Sequence, residues 1–96
     1  MNTAEALTRL RAARVGRLAT VTPDARPHVV PFVFAIVEQG DEVRAYWAVD
    51  RKAKRTDQLR RLRNLEGNPA VEFEVDGYDE DWRDLWWVRA SGTGRV

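Results

Sequence analysis

The 96 residues make one domain whose folding removes roughly 60–65% of the extended chain's surface from water, so its core is small. Sixteen basic and fifteen acidic side chains leave a formal charge of +1, which gives no general attraction to nucleic acid. The absence of cysteine excludes a disulfide framework, a thiol nucleophile and a zinc–thiolate cluster, and a lone histidine, His28, leaves little for a transition metal.

In chain order, Asn2 or Thr3 can cap a first helix, with Glu5 placed as in a capping box and Ala6, Leu7 and Leu10 supplying its apolar stripe. Arg9, Arg11 and Arg14 are expected to face solvent, and they also interrupt any secretory-leader pattern. Gly16 breaks the helix, and Arg17 to Thr22 reads as a strand, followed by a turn over Thr22 to Pro27. His28 to Val37 is continuously apolar apart from its first residue, which predicts one strand buried on both faces. Pro31 within it donates nothing to a ladder and so belongs at a sheet edge or a bulge. The apolar run of Val29 to Val37 is far below the ~20 residues a membrane helix needs, and a cytoplasmic protein without a membrane span is expected.

Gly40 turns the chain into a third strand, Val43 to Val49. The stretch that follows is the most unusual in the sequence: Arg51 to Arg63 holds seven of the sixteen basic side chains and a single acid, Asp57. A helix beginning between Lys54 and Thr56 and ending at Gly67 and Pro69 would place Leu59, Leu62 and Leu65 on one stripe, with Arg60, Arg61 and Arg63 off it. Arg51, Lys52, Lys54 and Arg55 then crowd the helix N-terminus, the wrong sign for its dipole, and a bound phosphate would resolve that conflict. A solvated basic face accounts for the charge pattern equally well.

Ala70 to Asp76 alternates strictly, with Val71, Phe73 and Val75 toward a core and Glu72 and Glu74 outward. Glu66 to Asp84 is acidic, holding eight of the fifteen acids; Asp79, Glu80 and Asp81 lack the ligand spacing of a calcium loop and read as solvated. Trp86 to Val96 is a last strand in which Trp86 and Trp87 must point to opposite faces, one into the core and the other toward a partner subunit or ligand. Five strands, an N-terminal helix and a helix between strands three and four predict a small, mainly antiparallel β-barrel.

The ordered combination RLATVTPDARPHVVPFVF, AYWAVDRKAKRTDQLRRLRNLEGNPAVEFEVD and YDEDWRDLWWVR resembles the pyridoxamine 5′-phosphate oxidase-like split-barrel family, and most of all its coenzyme F-420-dependent oxidoreductase branch. The resemblance runs from about Arg14 to Val96. It implies an FMN-binding-like split barrel that forms a homodimer with a flavin or deazaflavin, coenzyme F-420 or FMN, in clefts at the subunit interface. By position, Lys52, Lys54 and Arg55, with Arg51, would hold the cofactor phosphate. Val29, Val30, Pro31 and Phe32 would lie along the ring system, Ala48 and Val49 would line the same cleft, and Trp82, Trp86 and Trp87 would serve the dimer interface and the substrate side. Ala25 stands where the family's turn usually has glycine, a departure expected to be of little consequence. The family also continues for several dozen residues beyond the equivalent of Val96, so residues 1–96 are expected to form a single domain lacking the family's last strand and helix.

The expected function is hydride transfer from the cofactor to a small organic acceptor, with no side chain assigned as acid or base, since the cofactor supplies the chemistry. A non-catalytic flavin or deazaflavin carrier is the alternative. A single-stranded nucleic-acid-binding barrel, using Trp47 with the other tryptophans as stacking platforms, is set against the acidic block beside them, which would repel a backbone; no nucleic-acid partner is expected.

Overall fold

A computed structural model describes residues 1–48 and 56–96, and of residues 56–59 the backbone alone. Helix α1 (Thr3–Ala12) starts where the Asn2 side chain accepts the Glu5 N–H at 2.9 Å, and Glu5 itself opposes the positive end of the dipole. Strand β1 (Val15–Val21) then pairs antiparallel with β2 (Pro27–Val33). The connecting turn is knitted by Thr22, whose N–H donates to the Arg26 carbonyl at 2.9 Å and whose hydroxyl oxygen accepts the Arg26 N–H at 3.0 Å. Ala25 completes it at φ +62°, in the left-handed region that an L side chain enters at a cost of about 1–2 kcal/mol.

The long apolar run is not one strand buried on both faces. The chain leaves the first sheet at Phe34, whose N–H donates to the Arg14 carbonyl at 3.3 Å, and continues as β3 (Ala35–Gln39), which forms a separate two-stranded sheet with β4 (Glu42–Tyr46). Val29 and Val33, on the outward side of β2, are 59% and 68% exposed. Helix α2 (Thr56–Gly67), β5 (Ala70–Gly77), a 3-10 turn at Trp82–Asp84 and β6 (Trp86–Thr93) complete the order. Among the described residues the strands therefore number six rather than the expected five, with the second helix between the fourth and fifth.

The larger sheet has the order β2-β1-β5-β6, so Pro31 does lie on an edge strand. Register puts Gly16, Leu18 and Thr20 of β1 on one face with Phe32, Val30 and His28 of β2, Phe73 and Val75 of β5, and Ala90 and Val88 of β6. That face is the core side, where Leu10, Leu18, Phe32, Phe34, Val75 and Val88 form the buried cluster. Phe32 stacks on Phe34 at 4.8 Å and meets Phe73 and Trp47 edge-on at 5.4 and 5.7 Å, which joins the two sheets into a mainly β split barrel. The rings close over Gly16: a Cβ there would lie 2.8 Å from the Glu74 carbonyl oxygen and 3.2 Å from the Phe32 and Phe34 rings.

Ala25→Gly removes the left-handed penalty but adds unfolded-state entropy, so the variant is expected to gain about 0.5–1 kcal/mol. A higher urea midpoint at unchanged slope would show it, and an unchanged midpoint would mean that the turn relaxes the strain elsewhere.

Candidate functional site

The two flanks of the larger sheet are chemically different. On the outward flank, register aligns Val15 with Val33, Arg17 with Pro31 and Ala19 with Val29, giving an apolar strip along β1 and β2. Farther across, Arg17 faces Glu74, Glu74 faces Arg89 and Glu72 faces Ser91, an alternating polar ladder that ends at Trp87 opposite Asp76. Arg17 Nη1 lies 3.3 Å from Asp76 and 3.9 Å from Glu74, and the Ser91 hydroxyl donates to Glu72 at 3.0 Å. Burial of its carboxyl, reinforced by hydrogen bonding and charge from Asp76, holds Glu74 above the ordinary carboxylate range, while Arg17 pulls it down.

Strand β2 pairs only with β1 among the described residues, so every second residue along it offers its backbone N–H and C=O to an open edge, except that Pro27 and Pro31 have no N–H. Val29 and Pro31 project outward and are exposed, Val30 is half-buried and Phe32 is buried in the aromatic cluster. Trp47, edge-on to Phe32, anchors the chain just after β4 and leaves Ala48 exposed beside it. Val49, Arg51, Lys52, Lys54 and Arg55, expected to line the cleft and hold a phosphate, lie outside the described residues.

The three tryptophans expected at the dimer interface and the substrate side lie in different surroundings. Trp82 stands 79% exposed on the acidic loop, where Asp81 caps the short turn and is held below the usual carboxylate range by hydrogen bonds from Arg83. Trp87 is on the outward flank and 58% exposed. Trp86 points inward, its indole lying over Gly77, its cross-strand partner, where any Cβ would overlap the ring. The Arg9 guanidinium sits 4.3 Å above the Trp86 ring, so Arg9 does not simply face solvent. Arg11 forms an ion pair with Glu38 of β3, so α1 is held to both sheets.

A buried polar knot between α2 and β1 was invisible in the apolar pattern. Asn64 Nδ2 donates to Thr20 Oγ1 at 2.9 Å, and the two residues are 1% and 2% exposed. Arg61, expected to lie off the buried stripe, is 5% exposed, and burial pushes its guanidinium below its ordinary range. Arg61 Nε, Asn64 Oδ1 and the Nδ1 of His28, the strand partner of Thr20, are shielded and have no hydrogen-bond partner among the described residues. The signal that would have found the knot is the set 61, 64 and 65, spaced i, i+3, i+4. No group of three or more His, Cys, Asp or Glu side chains among the described residues is placed to hold a metal.

Residues 3–96 match the model of the pyridoxamine 5′-phosphate oxidase family. A 5a,11a-dehydrotetracycline/5a,11a-dehydrooxytetracycline reductase from Streptomyces rimosus is 39% identical over 88 residues, which are 92% of this chain and 56% of that protein. The chain thus spans about half the length of the curated relative it matches. Among solved structures, a conserved hypothetical protein from Mycobacterium tuberculosis aligns with a TM-score of 0.74 at 26% identity, over 97% of this chain and 51% of that one. An FAD binding protein from Mycobacterium smegmatis aligns with a TM-score of 0.66 at 25% identity, over 99% and 70%.

Because Glu74 is held above its unfolded value, the folded chain favours its protonated form. That contribution is fully present below the ordinary carboxylate range, at about pH 4, and is lost as pH rises through the folded value. Glu74→Gln should therefore gain stability relative to the natural chain as pH is raised from about 4 to 7. Urea midpoints for both proteins across that range check the sign, and a variant-minus-natural difference that falls as pH rises would contradict it.

Proposed function

Since the chain belongs to the pyridoxamine 5′-phosphate oxidase family, we propose that it is an oxidoreductase that binds a flavin-type cofactor, coenzyme F-420 or FMN, between two copies of itself and passes hydride to a small organic acceptor. The reductase name of the Streptomyces rimosus relative and the FAD-binding name of the Mycobacterium smegmatis one support the class. The observation that carries the reading is the open edge of β2. A planar tricyclic ring with donors and acceptors on its rim can be oriented by free backbone groups beside apolar surface, and the β2 edge offers these with Val29 and Pro31 exposed.

In this reading Val29, Val30, Pro31 and Phe32 line the ring, with Ala48 and Val49 alongside, and Arg51, Lys52, Lys54 and Arg55 neutralise the phosphate at the start of α2. The cofactor supplies the hydride chemistry. The chain binds and orients it, and a second copy excludes water from it. One feature supports that second copy. The exposed side chains of Val33 and Val29, joined through Pro31 along β2, with Val15 opposite Val33 and Arg17 bordering them, suit a two-fold contact with themselves, to which Trp87 would add. A second reading, a carrier that holds the cofactor without turnover, is favoured by the Mycobacterium smegmatis relative, named for binding rather than catalysis.

The test is absorbance after incubation with coenzyme F-420, FMN or FAD and desalting: one set of bands is retained, and retention of none would end the reading. Lys52→Ala with Lys54→Ala is expected to weaken binding by at least tenfold with the fold intact, since charge-assisted bonds contribute roughly 1.5–3 kcal/mol each. An unchanged affinity would move the phosphate elsewhere. In sedimentation equilibrium at low micromolar concentration the chain should be a dimer and Val33→Asp a folded monomer that no longer retains cofactor. A natural chain that sediments as a monomer and still retains cofactor would exclude the interfacial site.

A further inference from the structure

We propose that the buried hydrogen bond between Thr20 and Asn64 is a positioning contact for the phosphate end of the cofactor, because it fixes the rotation and axial register of α2 and hence the stance of the helix start. The inference rests on the cofactor reading above and adds residues that the resemblance did not point to. Helix α2 packs on β1, and of the three buried residues it presents among those described, Arg61, Asn64 and Leu65, only Leu65 is apolar. Two of those three side chains are polar, and the hydrogen bond that Asn64 makes supplies a direction that apolar burial does not.

An apolar contact tolerates sliding, whereas a slip of one residue along α2 moves its side chains by about 1.5 Å and turns them by about 100°. That displacement takes the Asn64 amide out of reach of the Thr20 hydroxyl and leaves two groups, each at least 98% buried, without partners. One helix placement therefore satisfies the pair. Asn64 stands eight residues from the first residue of α2, a span of about 12 Å along a rigid element. At that first residue the free N–H groups point toward the N-terminal side, where Arg51 to Arg55 precede the helix in sequence. A pin two turns away thus sets the helix end to which the phosphate is assigned. Packing alone does not require this chemistry, since a Val and a Leu of the same shapes would hold the helix about as firmly.

The deciding variants are Thr20→Val with Asn64→Leu, which replaces both partners by apolar isosteres, Asn64→Ala, which strands the hydroxyl, and Thr20→Ser, which keeps it. Each is measured by urea unfolding, by amide hydrogen exchange without ligand over residues 60–63, whose N–H groups close the first turn of α2 onto the carbonyls of residues 56–59, and by fluorescence titration with coenzyme F-420 and FMN. The double variant is expected to keep the natural urea midpoint, yet to exchange its first α2 turn tenfold or more faster and to bind cofactor tenfold or more weakly. Asn64→Ala should lose on all three measures, and Thr20→Ser should keep all three. If exchange and affinity instead follow stability through the whole series, so that the double variant recovers everything, the contact is packing only and the inference is overturned. A natural chain that binds neither cofactor defeats the cofactor reading by itself, and exchange at the first turn of α2 still decides whether the contact positions that end.

Discussion

Everything in this barrel depends on four aromatic rings in contact, two of which lie over a strand position that has no side chain. Phe32 belongs to β2, Phe34 to the bend that follows, Phe73 to β5, and Trp47 to the chain just past β4. Their contact is possible because Gly16 of β1 leaves room for the Phe32 and Phe34 rings. These rings supply burial that a domain of 96 residues has few other places to find. The same cluster fixes geometry: it sets the angle at which the small sheet leaves the large one, and through Trp47 it fixes the point from which the chain runs toward its basic segment.

Elements whose pattern is local were legible in the sequence, and elements decided by tertiary packing were not. The Asn2 cap and the strict alternation of β5 follow from hydrogen-bond geometry within a few residues. The break at Phe34 gave no such sign, because no glycine, proline or polar residue marks it; the chain bends there so that two phenylalanines two residues apart can both enter one core. In α2, leucines at three-residue spacing looked like a single face. Steps of three fall about 60° short of a full turn, so Leu59 and Leu65 diverge by about 120°. The buried face is centred instead on Arg61, Asn64 and Leu65, of which two are polar and one, Arg61, was placed off the apolar stripe.

The candidate site divides in the same way. That β2 lies at a sheet edge is one of the two placements, edge or bulge, that Pro31 left open, since a residue without an N–H has few other places in a sheet. The polar ladder over β1, β5 and β6 depends on register, which alternation within a single strand does not determine. The separation of the three tryptophans was only half legible: opposite faces for Trp86 and Trp87 follow from strand periodicity, but the cover of α1 over Trp86 through Arg9 is a long-range contact.

The placement of the Trp86 indole over Gly77 ties two distant positions into one heritable unit. A side chain introduced at 77 has to evict the ring, and a smaller residue at 86 uncovers a length of β5 backbone that the ring now shields. Either substitution alone is thus a step downhill in fitness, and a lineage can leave this arrangement only by exchanging both. Among descendants of a common barrel, the two positions should drift as a pair, each the record of the other.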